Sequence, residues 1–374
     1  MADRPSVRLS SLTSLRWFAA LWVFFAHVDF VTATNPDSAA VIFLSRMGST
    51  GVSFFFVLSG FVLTWSHVAG DRPVRFYRRR FARVVPAYWA AALIAVVVMA
   101  WTAPVGAGET LERFIPLTLL QSWVPVRDVY WSGAGVGWSL STEVVFYAVF
   151  PAVILVVARL TADGAVRAAC ALVVCVLALP LLLPVTGVSE DLAAWVVGVA
   201  PPVRLAEFVL GMLLAAAVAG GVRVPVRPEL AALIAFAATV AAGTTVGNLR
   251  VVAITLVPFA LLLMACAQRD ADADPPAWLH HRALLVLGQW SYAFYLVHIL
   301  VLMAVGRAIE GADPSAAARV ALLAPALALA ILAASALFRF VEYPLERRLR
   351  GAPGSATPHD EVAEAPVTVA RALT

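Results

Sequence analysis

Lysine is absent from this chain, and only 13% of its 374 residues are charged, about half the share usual in a soluble domain. Cysteine is scarce. Cys170, Cys175 and Cys266 all sit in apolar runs, so they suggest neither a disulfide framework nor a metal set and read as small core residues. No polar stretch is long enough for a separate large soluble domain, and no repeat of fixed period is present. A cleaved signal peptide is not expected, because the first apolar stretch is too long and carries Arg16 and His27; a retained span fits better. The net charge of +4 resides mostly in arginine-bearing loops. It reads as membrane topology, not as affinity for nucleic acid.

Apolar runs fill the rest. Hydrophobic residues make up 62% of the chain, and the mean hydropathy is +0.88. Only helices that satisfy their own backbone suit such runs in lipid. The expected fold is all-α and polytopic, with about ten spans, near 12–33, 48–68, 84–103, 138–159, 167–187, 203–220, 229–246, 250–267, 285–306 and 317–340. The segment 69–83 holds Arg72, Arg75, Arg78, Arg79, Arg80 and Arg83 against Asp71 alone. The positive-inside rule places it in the cytoplasm, and parity then places both termini there. Arg223, Arg227, Arg347, Arg348 and Arg350 agree; the loop 268–284 is a partial exception because Asp270, Asp272 and Asp274 outnumber its arginines. Residues 1–350 form the expected transmembrane domain, and 351–374 a small, polar, disordered cytoplasmic tail. The long connection 104–137 contains FIPLTLLQSWVPV, too short to span and readable as re-entrant or interfacial. Trp123, Trp131 and Trp138 suit a membrane boundary.

Ionisable groups inside spans are costly and tend to mark a functional path. Arg16 and His27 have ten residues between them. On a helix that spacing brings them within about 20° of one azimuth and about 16–17 Å apart along the axis. A bland reading lets Arg16 reach back to the surface and His27 fill a polar contact. The sharper one is a long, narrow substrate with a charged end near Arg16 and a reactive end near His27, where a neutral imidazole could take a proton from a hydroxyl. Glu143, in GWSLSTEVVFY, has the expected depth of His27 and could orient it as the acid of a hydrolytic triad does. Alternatively it lies in a first helical turn capped by Ser139 or Ser141. Arg80 and Arg83 share a face at i and i+3 and suit phosphate capture, unless the cluster serves topology alone. Pro86 would bend or start that helix.

In LGQWSYAFYLVHILV, Ser291, Tyr295 and His298 form one polar stripe at i, i+4, i+7. The stripe is either interhelical glue or a channel wall. Glu207, after Arg204, could touch an acceptor from the outer side or be salt-bridged. Glu342 more readily braces an inner arginine than does chemistry.

The ordered pieces SLTSLRWFAALWVFFAH, GVSFFFVLSGF, FYRRRFARVVPAYW, GWSLSTEVVFY, RLAEFVLGMLLA, SYAFYLVH and FVEYPLERR resemble the acyltransferase family 3 membrane proteins, which O-acylate sugars and related hydroxyl compounds. That resemblance maps an Arg-ten residues-His pattern onto Arg16 and His27, an Arg-x-x-Arg pattern onto Arg80 and Arg83, and a Trp-Ser-Leu-x-x-Glu pattern onto Trp138, Ser139, Leu140 and Glu143. It implies a multi-pass protein of the bacterial cytoplasmic membrane. It also implies that no cofactor is bound, that acyl-CoA is the co-substrate entering from the cytoplasm, and that the acceptor is reached from the outer side. Some members carry a fused extracytoplasmic hydrolase-like domain; none is expected here. Many have an acid where this chain has Ser53. The expected reaction moves an acyl group, acetyl in the first instance, to a hydroxyl of a cell-envelope carbohydrate or glycolipid. His27 serves as base, Glu143 orients it, and Arg16, Arg80, Arg83, Ser291, Tyr295, His298 and Glu207 contact substrates. A secreted secondary metabolite such as a macrolide is the alternative acceptor, because the TSLRWFAAL opening looks like that of some actinobacterial macrolide acyltransferases. An exporter and a structural membrane protein are the alternatives of other classes, the former disfavoured by the lack of an inverted repeat. Homo-oligomerisation is left open.

Overall fold

The computed structural model describes residues 7–32, 39–102, 112–132, 135–245, 253–312 and 314–350, so the expected disordered tail lies outside the described residues. Among these the fold is helical, without strands. Ten principal helices follow in order: α1 (Ser10–Ala26), α2 (Ala39–Trp65), α3 (Pro73–Thr102), α4 (Gly137–Val157), α5 (Ala162–Leu182), α6 (Pro201–Ala219), α7 (Pro228–Thr244), α8 (Leu256–Ala271), α9 (Arg282–Ile309) and α10 (Leu323–Leu337). A short helix, Asp29–Thr32, continues α1, and another, Glu190–Gly198, precedes α6.

These ten fall where ten spans are expected. By length and composition, however, only eight are long and apolar enough to cross a membrane. Helices α1 and α10 reach span length together with the short helices that continue them, over Ser10–Thr32 and Ala316–Arg350, whereas α7 and α8, at 17 and 16 residues, stay below the about 20 residues a straight span needs. The outer surface matches a lipid solvent: exposed side chains include Leu93 and Val97 on α3, Leu155 and Val156 on α4, Val174 and Leu181 on α5, and Leu332 on α10. Two expectations change here. Cys170 and Cys175 lie on exposed positions of α5, and only Cys266 is buried. Trp123 and Trp131 are exposed, but Trp138 is interior.

Helix α1 is the axis of the fold, packed against α2 on one side and α9 on the other. Backbones meet there because side chains are missing. A Cβ added to Gly48 or Gly51 of α2 would lie 2.3 Å from Trp22 O or 2.6 Å from Ala19 O. A Cβ on Gly288 of α9 would lie 2.0 Å from Thr13 O. Small residues at crossings are how membrane helices gain dispersion contact when lipid supplies no hydrophobic drive. The start of α1 is held from α8: the Ser11 N–H and Oγ–H donate to Asp270 at 2.9 and 2.6 Å, satisfying an orphan donor of the first turn. The acids of that loop thus have local work. Asp270 caps α1, and Asp272 and Asp274 pair with Arg223 and Arg269. Asp270→Ala should lower stability by about 1–3 kcal/mol, since it strands buried donors; the midpoint of thermal unfolding in detergent measures it, and an unchanged midpoint would refute the cap.

The last helix widens before it ends. Phe338–Glu342 form a π turn that runs on into Tyr343–Arg350. Pro344 has no N–H to give the carbonyl four residues back, and a π turn absorbs that defect. Glu342 and Glu346 emerge from it on the side facing α3.

Candidate active site

Side chains from α1, α2, α3, α4 and α9 enclose one cavity, and the polar groups on its wall are Arg16, Ser59, Arg80, Arg83, Ser139, Glu143, Tyr147, Ser291, Tyr292 and Tyr295. Six of the nine residues expected to act therefore meet in one space, although they come from four separate helices.

At the arginine-rich end, α3 begins at Pro73, so Arg80 and Arg83 both fall on its second and third turns and both reach the cavity. Arg83 is held by two carboxylates, Glu342 at 2.9 Å and Glu346 at 3.0 Å. The bracing expected of Glu342 is present, and Glu346 joins it. The Arg80 guanidinium lies 6.0 Å above the Phe76 ring. Deeper in, Arg16 faces the cavity with no ion-pair partner among the described residues. A cation held within a membrane span is costly and tends to mark a functional path.

Glu143 corrects an expectation. Its carboxylate accepts from Tyr147 Oη–H and, at 3.3 Å, from Ser59 Oγ–H; it does not pair with His27. The cause is depth. Helix α4 starts at Gly137 without a side-chain cap, so Glu143 stands almost two turns in, where it lines the cavity together with Arg16. By contrast, α1 ends at Ala26 and His27 stands just beyond it. Capping by Ser139 or Ser141 is not formed either. Ser139 donates to Val136 O at 3.0 Å, and Ser141 shares a 2.6 Å hydrogen bond with Ser122.

Ser139 Oγ and Tyr295 Oη, both on the cavity wall, share a 2.6 Å hydrogen bond. The next residue of the α9 stripe, His298, follows Tyr295 by three residues on the same helix. Its ring centroid is 5.9 Å from that of Tyr295 and 5.2 Å from that of His27. His27 and His298 are not on the cavity wall. The Tyr295 ring on the cavity wall is thus next to the His298 ring, and the His298 ring is next to that of His27. His27 is only partly buried, while His298 is fully buried.

Glu207 lies elsewhere. It and Arg204 are each 1% exposed and pair at 3.2 Å. Arg204 also donates to Ser53 Oγ at 3.2 Å and stacks over Phe56 and Trp138 at 5.0 and 5.9 Å. This ion pair joins α6 to α2 and α4 and presents nothing to an acceptor. Ser53 receives the guanidinium as a neutral partner. Sequence reading missed Tyr147, Ser59 and Glu346. The i, i+4 spacing of Glu143 and Tyr147 and of Glu342 and Glu346 was the available signal. No signal placed Ser59 beside Glu143, because that contact joins two helices. Among the described residues no cluster suits a metal ion.

Comparison with known proteins adds a family. A model described as an acyltransferase domain, that of acyltransferase family 3, matches residues 9–339. The acyltransferase MdmB of Streptomyces mycarofaciens is 34% identical over 379 residues, covering 96% of this chain and 97% of that protein. The exopolysaccharide production protein ExoZ of Rhizobium meliloti is 37% identical over 110 residues, 28% of this chain and 33% of that protein. Nodulation protein 10 of Rhizobium leguminosarum bv. viciae is 27% identical over 185 residues, 45% of this chain and 50% of that protein. No solved structure matches the chain.

Proposed function

The chain belongs to acyltransferase family 3 and is a multi-pass membrane acyltransferase, and from that premise we propose that it moves an acyl group, acetyl in the first instance, from acyl-CoA to a hydroxyl of a cell-envelope carbohydrate or glycolipid. The observation that carries this reading is the alignment of charge along the bundle. Arg80, Arg83 and Arg16 line one cavity with Tyr295, whose ring centroid is 5.9 Å from that of His298, itself 5.2 Å from that of His27. A narrow donor with an anionic head and a reactive tip fits that sequence of groups. In the bacterial cytoplasmic membrane the positive-inside rule sets the arginine end, and both chain termini, in the cytoplasm.

The donor's phosphates meet Arg80 and Arg83, where they compete with Glu342 and Glu346 for Arg83. The pantetheine arm runs past Arg16 and Glu143, whose carboxylate accepts from amide N–H groups. Tyr295 swings off Ser139 to admit the thioester. His27 Nε2 takes the proton of the acceptor hydroxyl as its oxygen bonds to the thioester carbon. The tetrahedral intermediate then expels sulfur, and the proton on His27 passes to the thiolate. The products are one ester and one free thiol.

The test uses the full-length protein in nanodiscs with acetyl-CoA, following thiol release and acetylated product by mass spectrometry. Arms contain an envelope glycolipid extract, a macrolide, or no acceptor. Thiol release coupled to an acetylated glycolipid is the expected result. Acetylation of the macrolide alone would move the acceptor to the second reading, which the TSLRWFAAL opening favours. Solute flux without covalent product would leave an exporter. In the same assay Arg16→Gln should raise the KM for acetyl-CoA about 10–100-fold, the loss of one charge-assisted contact, with kcat reduced less; an unchanged KM removes Arg16 from the donor path.

A further inference from the structure

We infer that His298 is the positioning residue for His27, occupying the place that a carboxylate holds in hydrolytic triads; this rests on the reading of His27 as the base. The assignment comes from following protons through the two rings. His298 Nδ1 lies 2.8 Å from Tyr295 O and 3.2 Å from Phe294 O. A carbonyl only accepts, so Nδ1 carries the hydrogen and Nε2 of His298 is left with a lone pair. That lone pair lies 3.3 Å from His27 Nδ1. His27 Nδ1 also lies 2.9 Å from Val23 O, a second acceptor. Both neighbours of His27 Nδ1 demand a hydrogen from it, which leaves His27 Nε2 unprotonated and free to take one.

The surroundings hold His298 still. Its ring is fully buried and stacks on Phe294 at a 16° interplanar angle, with Phe24 6.5 Å away between centroids. His27 has no such packing. It stands past the end of α1, where its own N–H bonds to Phe24 O, leaving Val23 O for the side chain. Two anchors at one nitrogen, one from its own helix and one from α9, fix the azimuth of the ring. Glu143 accepts from Tyr147 and Ser59 at Oε1, and no carboxylate is hydrogen-bonded to His27 among the described residues. When Nε2 takes the acceptor's proton, the Nδ1–H to His298 becomes a charge-assisted hydrogen bond, and the base is supported without a buried anion. The stripe of Ser291, Tyr295 and His298 thereby divides its labour: the first two line the donor cavity and the third serves the base.

The experiment compares wild type with His27→Ala, His298→Phe, His298→Gln and His298→Asn, all in nanodiscs with acetyl-CoA and the glycolipid extract, with thermal unfolding recorded for each. Glutamine can present an acceptor oxygen near the position of the imidazole Nε2; asparagine is too short and phenylalanine has none. Expected are a kcat lower by on the order of 100-fold in the Phe and Asn variants, a KM for acetyl-CoA within a factor of about three of wild type, and a Gln variant within about five-fold of wild-type kcat. A Phe or Asn variant that folds and turns over as wild type overturns the inference, and so does a folded Gln variant as slow as the Asn variant. Turnover retained in His27→Ala sinks the underlying reading instead, and is told apart because it leaves no base to position. A readout independent of activity uses 15N-histidine NMR. The resonance pair lost in His27→Ala should report a protonated Nδ1 and an unprotonated Nε2, and should move in His298→Gln. The opposite tautomer overturns the assignment.

Discussion

Alanine at His27 is expected to leave a folded membrane protein with acyl transfer reduced about 10²–10⁴-fold in kcat, the range a positioned general base supplies. Folding survives because little depends on the ring. It is partly exposed, lies beyond the last residue of α1, and among the described residues its ring hydrogen-bonds only to Val23 O and His298. Their loss costs about 1–3 kcal/mol at most. Donor binding also survives, since Arg16, Arg80 and Arg83 stand in a cavity whose wall does not include His27. The signature is therefore a fall in kcat at nearly constant KM for acyl-CoA, which is how loss of a transition-state interaction presents. Thiol release with acceptor present, compared at saturating donor, measures it. Equal turnover by the variant would mean that the proton is taken elsewhere. Glu143, the carboxylate on the cavity wall, would then be the next group to test.

The second large effect is structural and lies where α2 crosses α6. Gly211→Val should abolish recovery of monodisperse protein from detergent, and Gly211→Ala should destabilise by about 3 kcal/mol or more. A Cβ on Gly211 would lie 1.9 Å from Val57 O, and one on Gly60, across the same crossing, 1.9 Å from Phe208 O. Both obstacles are backbone, so neither yields by a rotamer change; the helices would have to move apart and give up their contact. That displacement would carry Ser59 on α2 away from Glu143 and disturb the Arg204–Ser53 tie between the same two helices. Gly198→Ala serves as the control, because a Cβ there meets nothing within 4 Å. Unaltered unfolding midpoints in both Gly211 variants would show that the crossing is looser than described.

Much of the site was legible because its residues are expensive. An arginine or a histidine inside an apolar run has few uses, and Arg16, Arg80 and Arg83 all proved to face one cavity. The stripe Ser291, Tyr295, His298 followed from helical periodicity alone, and all three are buried on one face of α9. Glu207 was misjudged because an arginine three residues before it can serve as easily for internal pairing as for binding. Only the burial of both side chains, at 1% exposure each, separates the two. The pairing of Glu143 with His27 failed on an estimate of depth. The start of α4, expected at 138, falls at Gly137, so the helix end was legible; how α4 sits against α1 was not, because that is a relation between two helices.

Composition and periodicity alone determined that this is a helical membrane protein, where its helices lie, and which ionisable groups sit within them. Those properties are local: they follow from the cost of bare backbone and charge in hydrocarbon, which each segment meets by itself. Tertiary structure decided the partners. Glu143 turned to Tyr147 and Ser59, Arg83 to two carboxylates of the final helix, and His27 to His298 across 271 positions of sequence. Such pairings depend on the rotation and depth of one helix against another. Those are set by where glycines let backbones touch, and no single segment carries that information.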